Sequence, residues 1–131
     1  MLLVEDIEIP HLKVLVEKFA HEYRLYKDPR RARGECVETS YEFLRFLHAH
    51  GYVGNFQNID WEIEGSKVVD GPRLPLEIES LFWDNGFGGH TAVLVDGYYV
   101  DFTARQFARE GRRIPFPLIW KYPKEEQRHA G

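Results

Sequence analysis

The chain is poor in cysteine, and Cys36 is the only one among its 131 residues. A single thiol excludes an internal disulfide framework and is typical of a reducing compartment. The first six residues turn acidic and lack a basic segment ahead of an apolar one, so we expect no cleavable signal. The protein is therefore expected in the cytoplasm, or delivered from it without such a signal.

The chain also lacks excess positive charge, long apolar runs and metal-binding motifs. A net charge of −4 and a pI near 5.9 argue against a general nucleic-acid binder. No apolar run approaches the roughly 18 residues that span a bilayer. His48 and His50 are two residues apart, which on a helix directs their rings to different sides. We expect no metal, no other cofactor, no nucleic acid and no membrane.

What the chain does have is the composition of a packed globule, with 44% hydrophobic residues. Its length predicts one compact domain over residues 1–131, with a frayed tail from about residue 124. Two helices followed by strands predict an α+β fold, in which the helices pack on a small antiparallel sheet. The predicted elements are an amphipathic helix from Pro10 to about Asp28, a buried helix at about 35–50, strands at 52–56 and 59–63, a short helix at 76–83, a hairpin at 91–101, one or two helical turns at 104–110 and a strand at 118–122.

Cys36 opens the second predicted helix. Free amides in a first turn and the helix dipole lower the pKa of a thiol, and Arg31 and Arg33 add positive potential. The same amides are ready hydrogen-bond donors for an oxyanion. The position therefore suits a nucleophile, although a lone cysteine is more often a core residue.

His90 and Asp101 flank the clearest hairpin signal, an Asp-Gly turn at Asp96-Gly97 between two apolar strands. Pairing about this turn places Asp101 beside Ala92. His90 is two residues further along the same face, within reach of a diagonal side-chain contact. The spacing predicts a His-Asp pair. Taken singly, the histidine is more typical of a loop and the aspartate of a turn cap, but together with Cys36 they favour a catalytic triad.

The residues around this triad resemble a known group of enzymes. Arg33-Gly34-Glu35-Cys36, followed by a helix and Gly51-Tyr52-Val53, is similar to the nucleophile segment of transglutaminase-like cysteine enzymes, within the papain-like fold. The stretch from His90 through the Asp-Gly turn to Asp101-Phe102-Thr103 resembles their second block. The resemblance covers about half the chain. It implies acyl transfer through a thioester, with hydrolysis of a peptide or amide, deamidation of glutamine and transfer to an amine all open.

The chain departs from the family pattern at three places. Thr91-Ala92 follows the histidine where the family often has Ala-Trp, Phe102 stands where proline is usual, and no glutamine precedes Cys36. The oxyanion donor is therefore open. The backbone N–H of Cys36 is the first choice, and further oxyanion or substrate candidates are Gln57, Asn58, Gln106 and Gly89.

Three hypotheses follow for the function. The leading one is a cysteine hydrolase or acyltransferase acting on a protein or peptide, with Cys36 as nucleophile, His90 as base and then acid, and Asp101 orienting the histidine. The second is an inactive papain-like module that binds or inhibits a partner. The third is a structural domain with Cys36 in the core. The short basic run at Arg30, Arg31 and Arg33 is more typical of a solvated surface than of an acidic partner's site. No feature indicates the oligomeric state.

Overall fold

The computed structural model of the protein describes residues 1–59, 74–82 and 90–121. Helices and a four-stranded antiparallel sheet form an α+β arrangement, as the element order predicts. The helices are α1 Pro10–Glu22, α2 Pro29–Ala32, α3 Cys36–Ala49 and α4 Leu76–Glu79, with 3₁₀ helices at Val4–Asp6, Arg24–Lys27 and Ala104–Phe107. The strands are β1 Asn55–Ile59, β2 His90–Val95, β3 Tyr98–Asp101 and β4 Leu118–Lys121. None of the described helices is long and apolar enough to cross a membrane.

The sheet is built around the predicted hairpin. The strands lie in the order β1-β2-β3-β4, each antiparallel to the next. Asp96 and Gly97 both have positive φ, 48° and 86°, which is the backbone of a two-residue hairpin turn. Val95 pairs with Tyr98, which confirms the predicted register. His90 and Asp101 therefore lie at the same end of the sheet, away from the turn.

The sheet separates two apolar cores. The helix-side core lies between the sheet and α1 and α3, and the opposite core lies between the sheet, α4 and the 3₁₀ helix Ala104–Phe107. Alternate residues of β2 and β3 enter different cores, as the two-residue period of a strand requires. Buried members of the helix-side core include Phe19, Phe43, Leu47, Val93, Val100 and Phe102, and those of the opposite core include Ile59, Ile78, Phe82, Ala92, Tyr99 and Trp120.

The helices differ from the prediction in two respects. α1 ends at Glu22 and continues as a separate 3₁₀ turn, so the apolar period that extends to Tyr26 spans two elements. The sequence predicts a buried helix at about 35–50, which is wrong in part, because α3 buries only one of its two apolar faces. Phe43 and Leu47 are wholly buried, whereas Val37 and Tyr41 on the adjacent face are 45% and 49% exposed. The sheet covers one side of the helix only.

The first strand is also displaced from its predicted position. β1 begins at Asn55 and runs without a break to Ile59, whereas the chain from Tyr52 to Gly54 has no regular structure. The predicted short helix is a single turn, α4, followed by a bridge from Phe82 to Ala108. The expectations for residues 60–73, 83–89 and 122–131 lie outside the described residues.

Candidate active site

The first residue of α3 is Cys36, as the sequence predicts. Gly34, with φ of +76°, turns the chain from α2 into α3, and the N–H of Glu35 donates to the carbonyl of Ala32. The side chain of the N-cap residue Glu35 makes no capping hydrogen bond to the first-turn amides of α3. The thiol is half-buried and in no disulfide, and among the described residues Cys36 belongs to neither apolar core. These features disfavour the interpretation of Cys36 as a core residue.

His90 and Asp101 form a buried pair at the end of the hairpin. His90 is the first residue of β2 and Asp101 the last of β3. The distance between His90 Nε2 and Asp101 Oδ2 is 2.5 Å, and both side chains are essentially inaccessible to solvent. The other carboxylate oxygen of Asp101 accepts the backbone N–H of Thr103 at 2.9 Å. Asp101 therefore caps the following turn and orients the imidazole at the same time.

Cys36 and His90 are linked by a hydrogen bond that changes the pKa of both groups. Burial acts to raise the pKa of the thiol, but the hydrogen bond and charge of His90 and the hydrogen bonds of Thr91 outweigh it and lower that pKa. Burial acts to lower the pKa of His90, whereas Asp101 and Cys36 raise it to about 9. Both shifts favour the ion pair of a thiolate with an imidazolium over the neutral pair, and a thiolate is the nucleophilic form of a cysteine.

The ring nitrogens of His90 have separate tasks. Since Nε2 faces Asp101, Nδ1 is the nitrogen left for the thiol. The ring also contacts Phe107 edge-on, with centroids 4.6 Å apart. Phe107 belongs to the 3₁₀ helix that follows Asp101 and Thr103. The segment from Asp101 to Phe107 therefore holds the imidazole at its edge as well as at its nitrogen.

Thr91 is a further contact of the nucleophile that the sequence analysis missed. Its side chain and its backbone both form hydrogen bonds with Cys36, and both lower the pKa of the thiol. The buried hydroxyls of Thr91 and Ser40 lie 3.3 Å apart. Ser40 is one helical turn after Cys36, so this link ties the first turns of α3 to β2. The only sequence signal for this link is Ser40 itself, a polar residue four positions after Cys36 on the apolar face of the helix.

The structure separates the proposed oxyanion donors. Gln106 lies against the nucleophile segment, because its Oε1 accepts the backbone N–H of Gly34 at 3.0 Å. Its Nε2 is buried and has no hydrogen-bond partner among the described residues. Gln57 pairs with Ala92 on the sheet, and Asn58 pairs with Thr91 and is exposed. Gly89 lies outside the described residues.

Three comparisons, with known protein families, with curated proteins and with solved structures, found no match to this chain. Within the described residues, no group of three or more histidine, cysteine, aspartate or glutamate side chains is arranged to hold a metal ion.

Proposed function

We propose that this protein is a cysteine-dependent acyl-transfer enzyme with the papain-like or transglutaminase-like arrangement of its nucleophile helix and sheet. The observation that carries the proposal is the hydrogen-bonded row from Cys36 through His90 to Asp101. A thiolate, a proton carrier and a group that orients the carrier are the three components of nucleophilic acyl transfer. Each component comes from a different element, and their buried contacts fix the geometry before substrate arrives.

The reaction begins when the Cys36 thiolate attacks the carbonyl carbon of an amide. The carbonyl π electrons move to oxygen and give a tetrahedral oxyanion. When that intermediate collapses, the C–N bond breaks, the imidazolium of His90 gives its proton to the leaving nitrogen, and a thioester remains. His90 is then a base, which accepts a proton from the attacking water or amine. Loss of the acyl group regenerates the thiolate.

Two groups are the proposed donors to the oxyanion. The backbone N–H of Cys36 lies in the first turn of α3, where the helix dipole favours negative charge. The side-chain oxygen of Gln106 accepts the N–H of Gly34, and its buried N–H₂ group has no acceptor among the described residues. A buried donor without a partner costs about 1–3 kcal/mol. An acceptor supplied by the reacting substrate recovers that cost when the oxyanion forms.

The test is the formation of a thioester on Cys36. The protein is mixed with p-nitrophenyl acetate, and we expect a rapid release of one equivalent of nitrophenol with acetylation of Cys36 by mass spectrometry. Cys36→Ala and His90→Gln should abolish the burst, whereas exposed Ser80→Ala serves as a matched hydroxyl control. A thiol that acetylates no faster than free cysteine overturns the proposal and leaves the binding-module hypothesis.

The fate of the acyl group distinguishes three activities on casein as a general protein substrate. New amino termini indicate peptide hydrolysis, free ammonia without cleavage indicates glutamine deamidation, and incorporation of a fluorescent primary amine indicates transamidation. Each readout is compared with Cys36→Ala.

A further inference from the structure

The charge of this chain is distributed very unevenly. Residues 24–33 contain five basic and one acidic residue, and residues 105–113 contain four basic and one acidic residue. The remaining chain therefore holds eight basic and nineteen acidic residues. The net charge of −4 conceals two strongly basic segments, far apart in sequence, in an otherwise acidic protein.

The fold brings these two segments together beside the nucleophile. The guanidinium of Arg105 donates to the carbonyl of Lys27 at 3.1 Å, and α2 packs against the 3₁₀ helix Ala104–Phe107. The hydrogen bond from Gly34 to Gln106 joins the same two segments two residues before Cys36. Burial first, and then the charge of Arg113, lower the pKa of Arg105. The positive charges of Arg105 and Arg113 therefore repel each other.

We name the exposed cations of these segments the cationic rim. Within the described residues none of them forms an ion pair, and the carboxylate of Asp28 instead accepts the backbone N–H of Arg30. The rim therefore projects positive charge into solvent. Its members are Arg24, Lys27, Arg30, Arg31, Arg33, Arg112 and Arg113.

We propose that the cationic rim attracts and holds an acidic stretch of the protein substrate, so that an amide next to that stretch is presented to Cys36. This inference rests on the proposed function. Arg33 is three residues from Cys36, so their Cα atoms are at most about 11 Å apart. Charges of one sign beside a reactive site raise the local concentration of an oppositely charged substrate. A short acidic segment needs only this local field, whereas a long nucleic acid would also meet the acidic remainder of the surface.

The potential at the thiol is measured with two alkylating agents that differ in charge. Iodoacetate is anionic and iodoacetamide is neutral, so the ratio of their rates at Cys36 reports the local field without any substrate. Arg30→Glu with Arg31→Glu should lower this ratio about three- to fivefold at 10 mM ionic strength, with little change at 0.5 M, for charges within roughly 10–15 Å. An unchanged ratio at low salt overturns the proposal.

A matched control changes the same formal charge elsewhere. Lys13 and Lys18 lie on α1, whose first turns are beside His50 at the other end of α3, with His11 and His50 ring centroids 6.4 Å apart. Lys13→Glu with Lys18→Glu should change the ratio by less than about twofold at 10 mM ionic strength, because the Coulomb energy falls with distance and α1 meets the end of α3 that is far from Cys36. An equal effect of both double variants overturns the assignment to the rim.

Occupancy of the rim is tested by protection of Cys36. Poly-L-glutamate should slow alkylation of Cys36 by iodoacetamide at low salt, and the protection should disappear in the Arg30→Glu, Arg31→Glu variant. Stronger protection by a single-stranded oligonucleotide of equal charge overturns the choice of an acidic protein segment. If the protein forms no thioester but the ratio of alkylation rates still depends on Arg30 and Arg31, the proposed enzymatic function is wrong. The positive potential of the cationic rim at Cys36 is then still supported.

Discussion

At the scale of single residues, Asp101 shows how one side chain serves two structural needs. One of its oxygens accepts the amide of Thr103 and the other bonds the ring of His90. Asp101 therefore caps the turn, and the same carboxylate bonds the imidazole as the proposed triad requires. Because the turn fixes the carboxylate, the imidazole is oriented by a group that cannot itself rotate freely.

Asp101→Asn should narrow the pH range of activity from both sides. The charge of Asp101 is the largest cause that raises the pKa of His90, so its loss moves the alkaline limit down from about 9. Because less of His90 is then in the imidazolium form, the pKa of Cys36 rises, and the lower pH limit of activity moves up. Acyl transfer should fall by about 10²–10⁴-fold.

The pH dependence of iodoacetamide alkylation tests this shift without a substrate. Asp96→Asn is the matched control, because Asp96 lies in the hairpin turn at a positive φ that asparagine tolerates. An alkylation profile for Asp101→Asn that coincides with that of the control contradicts the role of Asp101.

Cys36→Ala should make stability depend more strongly on pH. The folded protein holds a proton on His90 above the ordinary pKa of 6.5, so this contribution is complete below 6.5 and is lost as pH rises through the raised value. In the original protein the lowered pKa of Cys36 acts in the opposite direction, because the folded state releases that proton earlier. Removing the thiol removes this opposing effect and part of the rise in the pKa of His90. The charge of Asp101, the largest cause of that rise, remains, so the loss of stability with rising pH is left unopposed.

Urea unfolding between pH 6 and pH 9 measures the effect. Cys36→Ala should lose stability steadily over this range, and the double variant with His90→Gln should not. A flat profile for the single variant would mean that His90 is not protonated in the folded state.

At the scale of elements, the 3₁₀ helix Ala104–Phe107 organises the site, although it is only four residues long. Phe107 contacts the ring of His90, and Gln106 bonds the turn before Cys36. One short element thus contacts both the imidazole of His90 and the segment that leads into Cys36. No periodicity in the sequence signals this role, because it depends on contacts across 72 positions of chain.

Two variants of Gln106 separate its two functions. Gln106→Glu keeps an oxygen that can accept from Gly34 but removes the N–H donor and adds a negative charge. Alkylation of Cys36 should therefore fall by only about a few-fold, through a raised pKa of the thiol, while thioester formation falls by about 10²–10³-fold. Gln106→Ala removes both and should also lower the free energy of unfolding by about 0.5–1.5 kcal/mol.

The rate of acetylation by p-nitrophenyl acetate measures thioester formation. Urea unfolding measures the free energy of unfolding. Gln57→Glu is the matched control on β1, where we expect neither effect. Equal acetylation rates in Gln106→Glu and the original protein would remove Gln106 from the oxyanion site.

Gly97, in the hairpin turn, and Gly54, just before β1, are required for different physical reasons. Substitution of each by asparagine distinguishes the two reasons. Gly97 has φ of +86° and open space around it, so Gly97→Asn should cost less than about 1 kcal/mol, because asparagine adopts this backbone. Gly54 has no such backbone, but an added Cβ would lie 2.8 Å from the Leu44 side chain and 3.0 Å from that of Val93. Gly54→Asn should cost about 1–3 kcal/mol through overpacking, and urea unfolding of the pair decides whether the two reasons differ.

The hairpin and α3 could be predicted because their signals are local. An Asp-Gly turn fixes the register that brings His90 and Asp101 to the same end of the sheet, and Gly51 ends α3 with a positive φ. Thr91 and Phe107 could not be predicted as neighbours of the triad. Their positions depend on how α3 and a 3₁₀ helix dock on the sheet, which the strand and helix periods do not encode.

At the scale of the whole molecule, the triad draws on both apolar cores. Cys36 begins the helix that packs in the helix-side core, whereas His90 and Asp101 lie on the sheet face that adjoins the opposite core. The site therefore exists only when both layers are docked. This requirement links catalytic geometry to global folding more tightly than a site within one layer would.

Phe102 ties the helix-side core to the residue after Asp101. Its ring centroid lies 4.7 Å from that of Phe19 and 4.9 Å from that of Phe43. Phe102→Ala should lower the free energy of unfolding by about 3–5 kcal/mol, which is a large part of the 5–15 kcal/mol of a typical domain. Phe46→Ala, at a half-buried position of the same core, should cost clearly less in urea unfolding, and equal losses would contradict this ranking.

Because the His90 and Asp101 side chains are buried, their hydrogen bond can be observed by spectroscopy. A ring proton shared between two groups with almost no solvent access exchanges slowly with bulk water. It should therefore give a separate proton resonance far downfield of the amide region in a nuclear magnetic resonance spectrum. That signal would report the alignment of the two side chains in any variant, in the absence of substrate and before any reaction has been identified.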